Sequence, residues 1–154
     1  MTTFEDLIEK APVIELKARS KAEGLRELAE TFRNEPKVTD LHRFIEAVFE
    51  REKVISTGIG IGVAVPHVKI PEVTDFILAF GRHHGGLDFD SLDDQPVHLV
   101  AMMGASDSQA GEFLKMLARL VQTFRAKDMR RRLMLAKDPE AFRSILREHC
   151  RSVS

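Results

Sequence analysis

The sequence predicts an α/β fold in which a mixed β-sheet is flanked by helices on both faces. Two apolar runs in the middle of the chain, residues 75–81 and 97–104, are bounded by glycine and proline and are typical of strands buried on both faces. Amphipathic segments lie before and after these runs, so helices are expected to cover the sheet. The strands are few and irregularly spaced, which favours a mixed sheet over a regular doubly wound order.

The first part of the chain predicts one strand and two helices. Residues 13–17, VIELK, are expected to form a short strand. Ser20 and Glu23 have the spacing of a capping box, and apolar residues at helical spacing follow them, so a first helix begins there. A second helix is expected to begin near residues 39–40, after a segment interrupted by proline, and to have Arg51 at its end.

Three alternating glycines break the helical pattern in STGIGIGVAVPHVKIPEV, residues 56–73. They predict a turn that leads into a short strand around residues 63–65. Farther along, RHHGGLDFDSLDDQP, residues 82–96, contains turn-forming residues throughout. We therefore expect this segment to be a loop between the two apolar strands.

The last third of the chain has the pattern of three helices. Apolar residues at spacings of three and four predict a helix that begins near Ser108 and includes Phe113. A second helix is expected at residues 128–136. A third begins at Asp138, because Pro139 then takes the first helical position, where proline is favoured.

Length and composition predict a single soluble domain spanning residues 1–154. Hydrophobic residues make up 44% of the chain and charged residues 31%, which is ordinary for a globular protein. No apolar run is long enough to cross a bilayer, and no signal peptide is recognisable. The one cysteine, Cys150, can form no internal disulfide. A cytoplasmic location without membrane insertion is expected.

Charge is unevenly distributed although the net charge is only -1. Residues 115–151 contain eleven Lys and Arg against four Asp and Glu. The simplest interpretation is that these are the solvated faces of helices, and the alternative is steering of an acidic protein partner. Nucleic-acid binding is not expected, because the chain has no Trp or Tyr to stack on bases and no excess of positive charge.

The glycine-rich stretch does not fit the standard nucleotide-binding loops. Val63 stands where G-x-G-x-x-G requires its third glycine, and G-x-x-x-x-G-K-[ST] does not occur. His83 and His84 have no cysteine or acidic cluster that would complete a metal site. The G-x-S-x-G nucleophile elbow is also absent. We therefore expect neither a metal nor another cofactor.

His67 is the residue best placed for chemistry. Imidazole has an ordinary pKa near 6.5, so near pH 7 a large neutral fraction offers a nucleophilic nitrogen. Pro66 fixes its own backbone φ and favours an extended residue before it, which predicts a rigid corner with His67 at its tip. The hydroxyls of Ser56 and Thr57 could hold phosphate oxygens, and Arg51 could add charge-assisted hydrogen bonds. A purely structural turn is the alternative.

These residues lie in a segment that resembles a known signature. REKVISTGIGIGVAVPHVKIPEV, residues 51–73, is similar to the signature of the fructose/mannitol-type IIA domains of the bacterial phosphoenolpyruvate-dependent sugar phosphotransferase system. That family includes free-standing nitrogen-regulatory IIA proteins. The similarity continues through GLDFDSLDDQPVHLVAMM, residues 86–103, and GEFLKMLARL into the closing helices. It covers nearly the whole chain and implies the fold of that family.

The resemblance also implies an activity and its partners. In such domains the histidine of the Pro-His pair, here His67, takes a phosphoryl group from the phosphocarrier protein HPr and passes it to a IIB domain. By the same resemblance Arg51, Ser56 and Thr57 help to form the phosphate site. Because no transmembrane or IIB segment is attached, a regulatory target is expected rather than dedicated sugar uptake. An oligomer is compatible with the sequence.

Two positions depart from the family pattern. Val68 follows the histidine where family members usually have glycine or another small residue, and Phe113 replaces a second active-site histidine. Phenylalanine cannot donate a hydrogen bond, so transfer is expected to be slower by about 10² to 10³ unless His98, Arg51 or the helix start near Ser108 compensates. The alternatives are a binding module that has lost phosphotransfer and a small-ligand sensor that uses the same anion pocket.

Overall fold

The structure is a computed structural model that describes residues 2–152, and this part of the chain contains six α-helices and a six-stranded sheet. The helices are α1 (Phe4–Lys10), α2 (Lys21–Ala29), α3 (Leu41–Val54), α4 (Ala110–Arg125), α5 (Lys127–Leu135) and α6 (Pro139–Ser152). The strands are β1 (Val13–Glu15), β2 (Gly58–Gly60), β3 (Val63–Ala64), β4 (His67–Lys69), β5 (Ile77–Leu87) and β6 (Val97–Ala105). A 3₁₀ turn, Glu30–Phe32, follows α2.

The sheet is mixed, as the sequence predicts. Its strands lie in the order β1-β5-β6-β3-β2, and β4 also pairs with β6. The long strands β5 and β6 are antiparallel, whereas β1 runs parallel to β5 and both β3 and β4 run parallel to β6. His67 is paired with Met103 in this register. Strand β6 therefore contacts three other strands and forms the centre of the sheet.

Helices cover both faces of the sheet, which confirms the predicted layers. Apolar residues of α1, α4, α5 and α6 pack together with one face, where Phe80 and Phe124 are almost fully buried. Residues of α2 and α3 pack on the opposite face around Phe44 and Leu28. Neighbouring positions on β6 contribute to different layers, as expected for alternating strand side chains. The candidate site is thus held between two packed cores.

Three of the predicted helix starts are confirmed by their capping hydrogen bonds. The Ser20 hydroxyl accepts from the Glu23 amide at 3.2 Å, and the Asp40 carboxylate accepts from the third residue of α3 at 3.1 Å. Asp138 caps α6 in the same way. The predicted capping box of α2 is wrong in one detail. The Glu23 carboxylate accepts from the amide of Arg19, one residue before the cap, at 2.9 Å.

Helix α1 is absent from the sequence-based expectations. Its signal was present, because Thr3 and Asp6 form a reciprocal capping box at its start. The helix has only 7 residues, too few for a convincing apolar repeat. Its buried side chains, Phe4, Leu7 and Ile8, join the layer formed by the C-terminal helices.

The expected loop at residues 82–96 is wrong in its first part. Strand β5 continues to Leu87, so His83 and His84 lie in a strand and not in a loop. The pairing with β6 shifts between Arg82 and Leu87, which accommodates Gly86 at a φ of 85°. The adjacent glycines that suggested a turn therefore mark an irregularity inside a long strand.

The glycine-rich stretch contains more strand than expected. Gly58–Gly60 forms β2, which is antiparallel to β3, and the three residues from Gly60 to Gly62 have positive φ and make the turn between them. His67 is the first residue of β4 and does not sit at the tip of an unpaired corner. None of the helices among residues 2–152 has the length and apolar character needed to cross a membrane.

Candidate functional site

His67 lies in a cleft at the place where helices from the two layers approach β4. The cleft has a volume of about 480 Å³, and α3, β4 and α4 contribute its walls. It is lined by Arg43, Ala47, Glu50, Arg51, Val54, His67, Val68, Lys69, Ile70 and Phe113. Three of these side chains are cationic and one is acidic, so the cleft favours an anionic group.

The orientation of the His67 ring is set by its own backbone neighbourhood. Nδ1 lies 2.7 Å from the carbonyl oxygen of Val65, and because a carbonyl can only accept, Nδ1 is the protonated nitrogen. Burial is the largest effect and lowers the pKa of His67; the hydrogen bond to Val65 opposes it in part, and the positive charge of Arg51 makes a lesser contribution that also lowers the pKa. The ring is therefore neutral near pH 7, and Nε2 carries the nucleophilic lone pair.

The alternation of β4 explains which side chains share the cleft. His67 and Lys69 are two positions apart and point to the same side, whereas Val68 points to the opposite side and is 6% exposed. Val68 belongs to the apolar layer of α2 and α3. Valine in place of the small residue usual in the family therefore adds to the packed core and not to the cleft, because a β-branched side chain suits a buried strand position.

Phe113 contacts His67 directly. The two ring centroids are 5.8 Å apart with an angle of 49° between the ring planes, and Phe113 is only 7% exposed. The ammonium group of Lys69 lies 6.0 Å from the centroid of the same phenyl ring. Position 113 is thus next to the candidate acceptor, and its side chain contributes packing and a π face but no hydrogen bond.

Arg51 is brought to the cleft by the last turn of α3. Its Nη1 donates to the carbonyl of Ile55 at 3.0 Å, at the end of the helix, which restrains the guanidinium. The neighbouring Arg43 is engaged with three carboxylates, of which Glu50 is the nearest at 3.2 Å. Arg51 and Lys69 are consequently the better-placed cations for an incoming anion.

The hydroxyls of Ser56 and Thr57 are directed elsewhere in this structure. Ser56 Oγ donates to the carbonyl of Phe89 at 2.6 Å, and Thr57 Oγ1 donates to the carboxylate of Glu52. Thr57 is 4% exposed, and neither residue lines the cleft. The structure therefore brings Arg51 and Phe113 to His67 but does not bring these two hydroxyls to it.

The sequence did not predict the role of Glu52, which binds the segment that contains Ser56 and Thr57. The Glu52 side chain is 5% exposed, accepts from the Thr57 amide at 3.2 Å and pairs with Lys21 at 2.7 Å. The Lys21 ammonium also lies 5.0 Å from the centre of the Phe89 ring. No sequence pattern indicates this network, since its members lie on α2, α3 and the loop after β5. Lys69, also missed, could have been found from its spacing of two from His67.

His98 lies too far along the sheet to compensate for Phe113. It is on β6 five positions before Met103, which is the partner of His67, and five residues of strand span about 17 Å. Its Nδ1 donates to the carbonyl of His83 at 2.9 Å. Among residues 2–152 no group of three or more His, Cys, Asp or Glu side chains could hold a metal ion.

In this cleft one nitrogen of a neutral imidazole is fixed by the backbone, the other is free to act as a nucleophile, and cationic side chains lie beside it. This arrangement is typical of domains that bind or carry an anionic group through histidine. Residues 7–149 match the family described as phosphoenolpyruvate-dependent sugar phosphotransferase system, EIIA 2. The chain belongs to this family.

Relatives within the family carry two kinds of name. A nitrogen regulatory protein of Bradyrhizobium diazoefficiens is 36% identical over 136 residues, which cover 85% of each chain. The fructose-specific EIIABC component of Bacillus subtilis is 33% identical over 136 residues, and the match spans 88% of this chain but only 21% of that protein. The crystal structure of nitrogen regulatory protein IIA-Ntr from Neisseria meningitidis has a TM-score of 0.83 and 31% identity, over 90% of this chain and 97% of that one.

Proposed function

We propose that this protein is a histidine phosphoryl carrier that accepts a phosphoryl group on Nε2 of His67 from an HPr-like phosphocarrier protein. Family membership supports a carrier or regulatory role in the phosphotransferase system. The observation that carries the specific assignment is the hydrogen bond from Nδ1 of His67 to Val65, which leaves Nε2 as the nucleophile in a cationic cleft.

The transfer requires no group outside the two proteins. The lone pair of His67 Nε2 forms the new P–N bond, the P–N bond to the donor's phosphohistidine breaks, and its electron pair returns to the donor imidazole. The reaction is an in-line displacement in which positioning and electrostatics supply most of the rate enhancement. Burial keeps His67 neutral and ready to attack, since a protonated ring has no free lone pair.

Arg51 and Lys69 are the side chains proposed to hold the phosphoryl oxygens. Arg51 lines the cleft, and its positive charge adds to the larger effect of burial in lowering the pKa of His67. Lys69 leaves β4 on the same side as His67. Ser56 and Thr57 remain candidates for a supporting role, which would require their hydroxyls to leave Phe89 and Glu52 when phosphate binds.

We propose regulation rather than dedicated sugar transport as the use of this carrier. The names of the Bradyrhizobium and Neisseria relatives, nitrogen regulatory proteins, support this choice. The Bacillus relative, named for fructose and for EIIABC, supports a IIB domain as the alternative recipient. The proposed partners are therefore an HPr-like donor and either a regulatory target or a IIB domain.

Phosphorylation with purified components tests the proposal. The protein is incubated with phosphoenolpyruvate, enzyme I and HPr, and an added mass of one phosphoryl group that is labile in acid is sought on His67. His67→Ala is the matched negative control, and a IIA domain with histidine at both positions is the positive control. If the positive control is labelled and the wild-type protein is not, the carrier proposal is wrong.

A second candidate function is a binding module of the same fold without phosphotransfer. The direct contact of Phe113 with His67 favours it, because the position next to the acceptor offers no hydrogen bond. The same labelling experiment distinguishes the two, since a binding module would still form a complex with its partner but acquire no phosphoryl group.

A further inference from the structure

A second cationic cleft lies near the opposite end of β6 from His67. It has a volume of about 410 Å³ and shares no lining residue with the first cleft. Its walls are the turn between β2 and β3, the ends of β5 and β6 that face this turn, and α5. Five of its lining side chains are basic or imidazole groups: His84, His98, Lys127, Arg130 and Arg131. We propose that this cleft binds a small organic phosphate of about mononucleotide size.

A β-bulge aims His98 into this cleft. The amides of His98 and Leu99 both donate to the carbonyl of Gly62, at 2.8 and 3.1 Å, so two residues of β6 face one residue of the neighbouring chain segment. Val97 packs in the layer of α2 and α3, whereas Leu99 packs in the other layer. Such bulges redirect side chains, and here His98 and Leu99 both line the cleft.

The His98 ring is fixed and its outer edge is kept clear. Nδ1 donates to the carbonyl of His83, which leaves Nε2 for a ligand. A Cβ at Gly86 would lie 2.8 Å from Cβ of Pro96, 3.0 Å from Cε1 of His98 and 3.2 Å from its Nε2, and Gly86 has a φ of 85° that favours glycine. Nε2 can accept from a singly protonated phosphate or, when the ring is charged, donate to the dianion.

Positive charge from α5 lines the same cleft as His98. Arg130 Nη1 donates to the last carbonyls of α4, those of Phe124 and Arg125, at 2.9 and 2.6 Å, so its guanidinium is held in place with other N–H groups remaining. Arg131 is paired with Asp128 at 2.8 Å, which reduces its contribution. Lys127 is exposed at the start of α5, where no side chain caps the first amides.

The size and the lining favour a small ligand over an acidic protein segment. The cleft is open to solvent, and its volume of about 410 Å³ lies in the range of small-molecule sites. Ile61, Leu99 and Met134 add an apolar wall beside the cations, which suits a ligand with a phosphate at one end and a flat or apolar part at the other. Basic residues are in excess at 115–151, and the proposed phosphotransfer does not use them. Three of them, Lys127, Arg130 and Arg131, line this cleft.

Titration of the ¹⁵N-labelled protein in about 150 mM salt tests this inference. Adenosine monophosphate is added up to about 10 mM, with inorganic phosphate, succinate and an acidic peptide as separate arms. We expect the largest amide shifts at Gly62, His98, Leu99 and the start of α5, and the same shifts in His67→Ala. Lys127→Ala should weaken binding by about tenfold, because it removes one charge-assisted contact.

Lys137→Ala is the matched control, since it removes the same charge from an exposed position outside the cleft. It should leave the affinity unchanged. The proposal is overturned if adenosine monophosphate shifts only residues around His67, if it produces no shift, or if the two lysine variants weaken binding equally. The proposal is also wrong if succinate binds as tightly as adenosine monophosphate, because the cleft would then not select phosphate. It is equally wrong if only the acidic peptide binds, because the cleft would then be a protein-binding surface.

Discussion

Replacement of Phe113 by histidine should accelerate phosphoryl transfer to His67. The ring centroids of Phe113 and His67 are 5.8 Å apart, within the range of directly contacting aromatic side chains. An imidazole at position 113 would therefore lie close enough to donate to an oxygen of a phosphoryl group on Nε2. One preorganised donor to transition-state charge contributes about 2 to 4 kcal/mol, so the rate should rise by about 10² to 10³.

The same change should reduce stability. Phe113 is 7% exposed and belongs to the apolar layer of the C-terminal helices. Burial of a phenylalanine contributes about 1.5 to 3 kcal/mol, and the smaller, polar imidazole recovers only part of it. We expect Phe113→His to lose about 1 to 3 kcal/mol of unfolding free energy, less than the total stability of an ordinary domain, so the variant stays folded.

Rapid-quench transfer from phosphorylated HPr, followed by mass spectrometry without acid, measures the effect. Phe113→Leu is the matched control, because it changes the packing at the same position without adding a donor, and it should transfer at the wild-type rate. Thermal unfolding of both variants checks that they are folded. If folded Phe113→His is no faster than Phe113→Leu, then Phe113 is not what limits transfer and our reasoning about this position is wrong.

Three further outcomes follow from the structure. Because burial lowers the pKa of His67, the transfer rate should stay constant as the pH falls to about 6.5 and decrease only below that pH. The free energy of unfolding should decrease over the same fall in pH, because the unfolded chain takes up the proton on His67 before the folded chain does. Glu52→Gln should lose about 2 to 4 kcal/mol in urea unfolding, since the side chain is 5% exposed and pairs with Lys21 at 2.7 Å. Gly81→Ala should lose about 1 to 3 kcal/mol of unfolding free energy, because its Cβ would lie 2.8 Å from the side chain of Leu16. Gly111→Ala has no atom within 4 Å of the new Cβ, so it should gain about 0.5 to 1 kcal/mol of unfolding free energy, measured by thermal unfolding.

Each of these expectations has a contrary result. A pH–rate midpoint at or above 6.5 would show that His67 is not desolvated in the active form. Equal stability losses for Glu52→Gln in the wild-type and Lys21→Met backgrounds would show that the two side chains are not coupled. A Gly81→Ala protein as stable as Gly111→Ala would mean that the sheet adjusts around β5 without cost.

Local signals were sufficient for most of the fold. Ser20, Asp40 and Asp138 mark helix starts through short-range hydrogen bonds, and all three lie before apolar residues at helical spacing. Such signals failed where long-range pairing overrides local preference. The glycines after His84 suggest a turn by themselves, but pairing with β6 carries β5 on to Leu87.

The candidate site was predictable in part. His67 and Arg51 stand close together in sequence within a recognisable motif, and the structure brings both to one cleft. The contact between His67 and Phe113 joins residues on β4 and α4, and it was accessible only through the family resemblance. The buried pairing of Glu52 with Lys21 joins two helices and has no sequence pattern, because any carboxylate and amine at those positions would look solvent-exposed.

The contacts that close this fold join segments that are far apart along the chain. Glu15 of β1 pairs with Arg82 of β5 across 67 residues, and Glu9 of α1 pairs with Arg147 of α6 across 138. Loop closure on this scale costs entropy before the contacts can stabilise anything, so refolding is expected to take milliseconds to seconds. The antiparallel pairing of β5 with β6 spans only residues 88–96 and can form early. Until both helical layers have docked, this hairpin exposes two apolar faces, so the order of assembly determines how long the chain is open to aggregation.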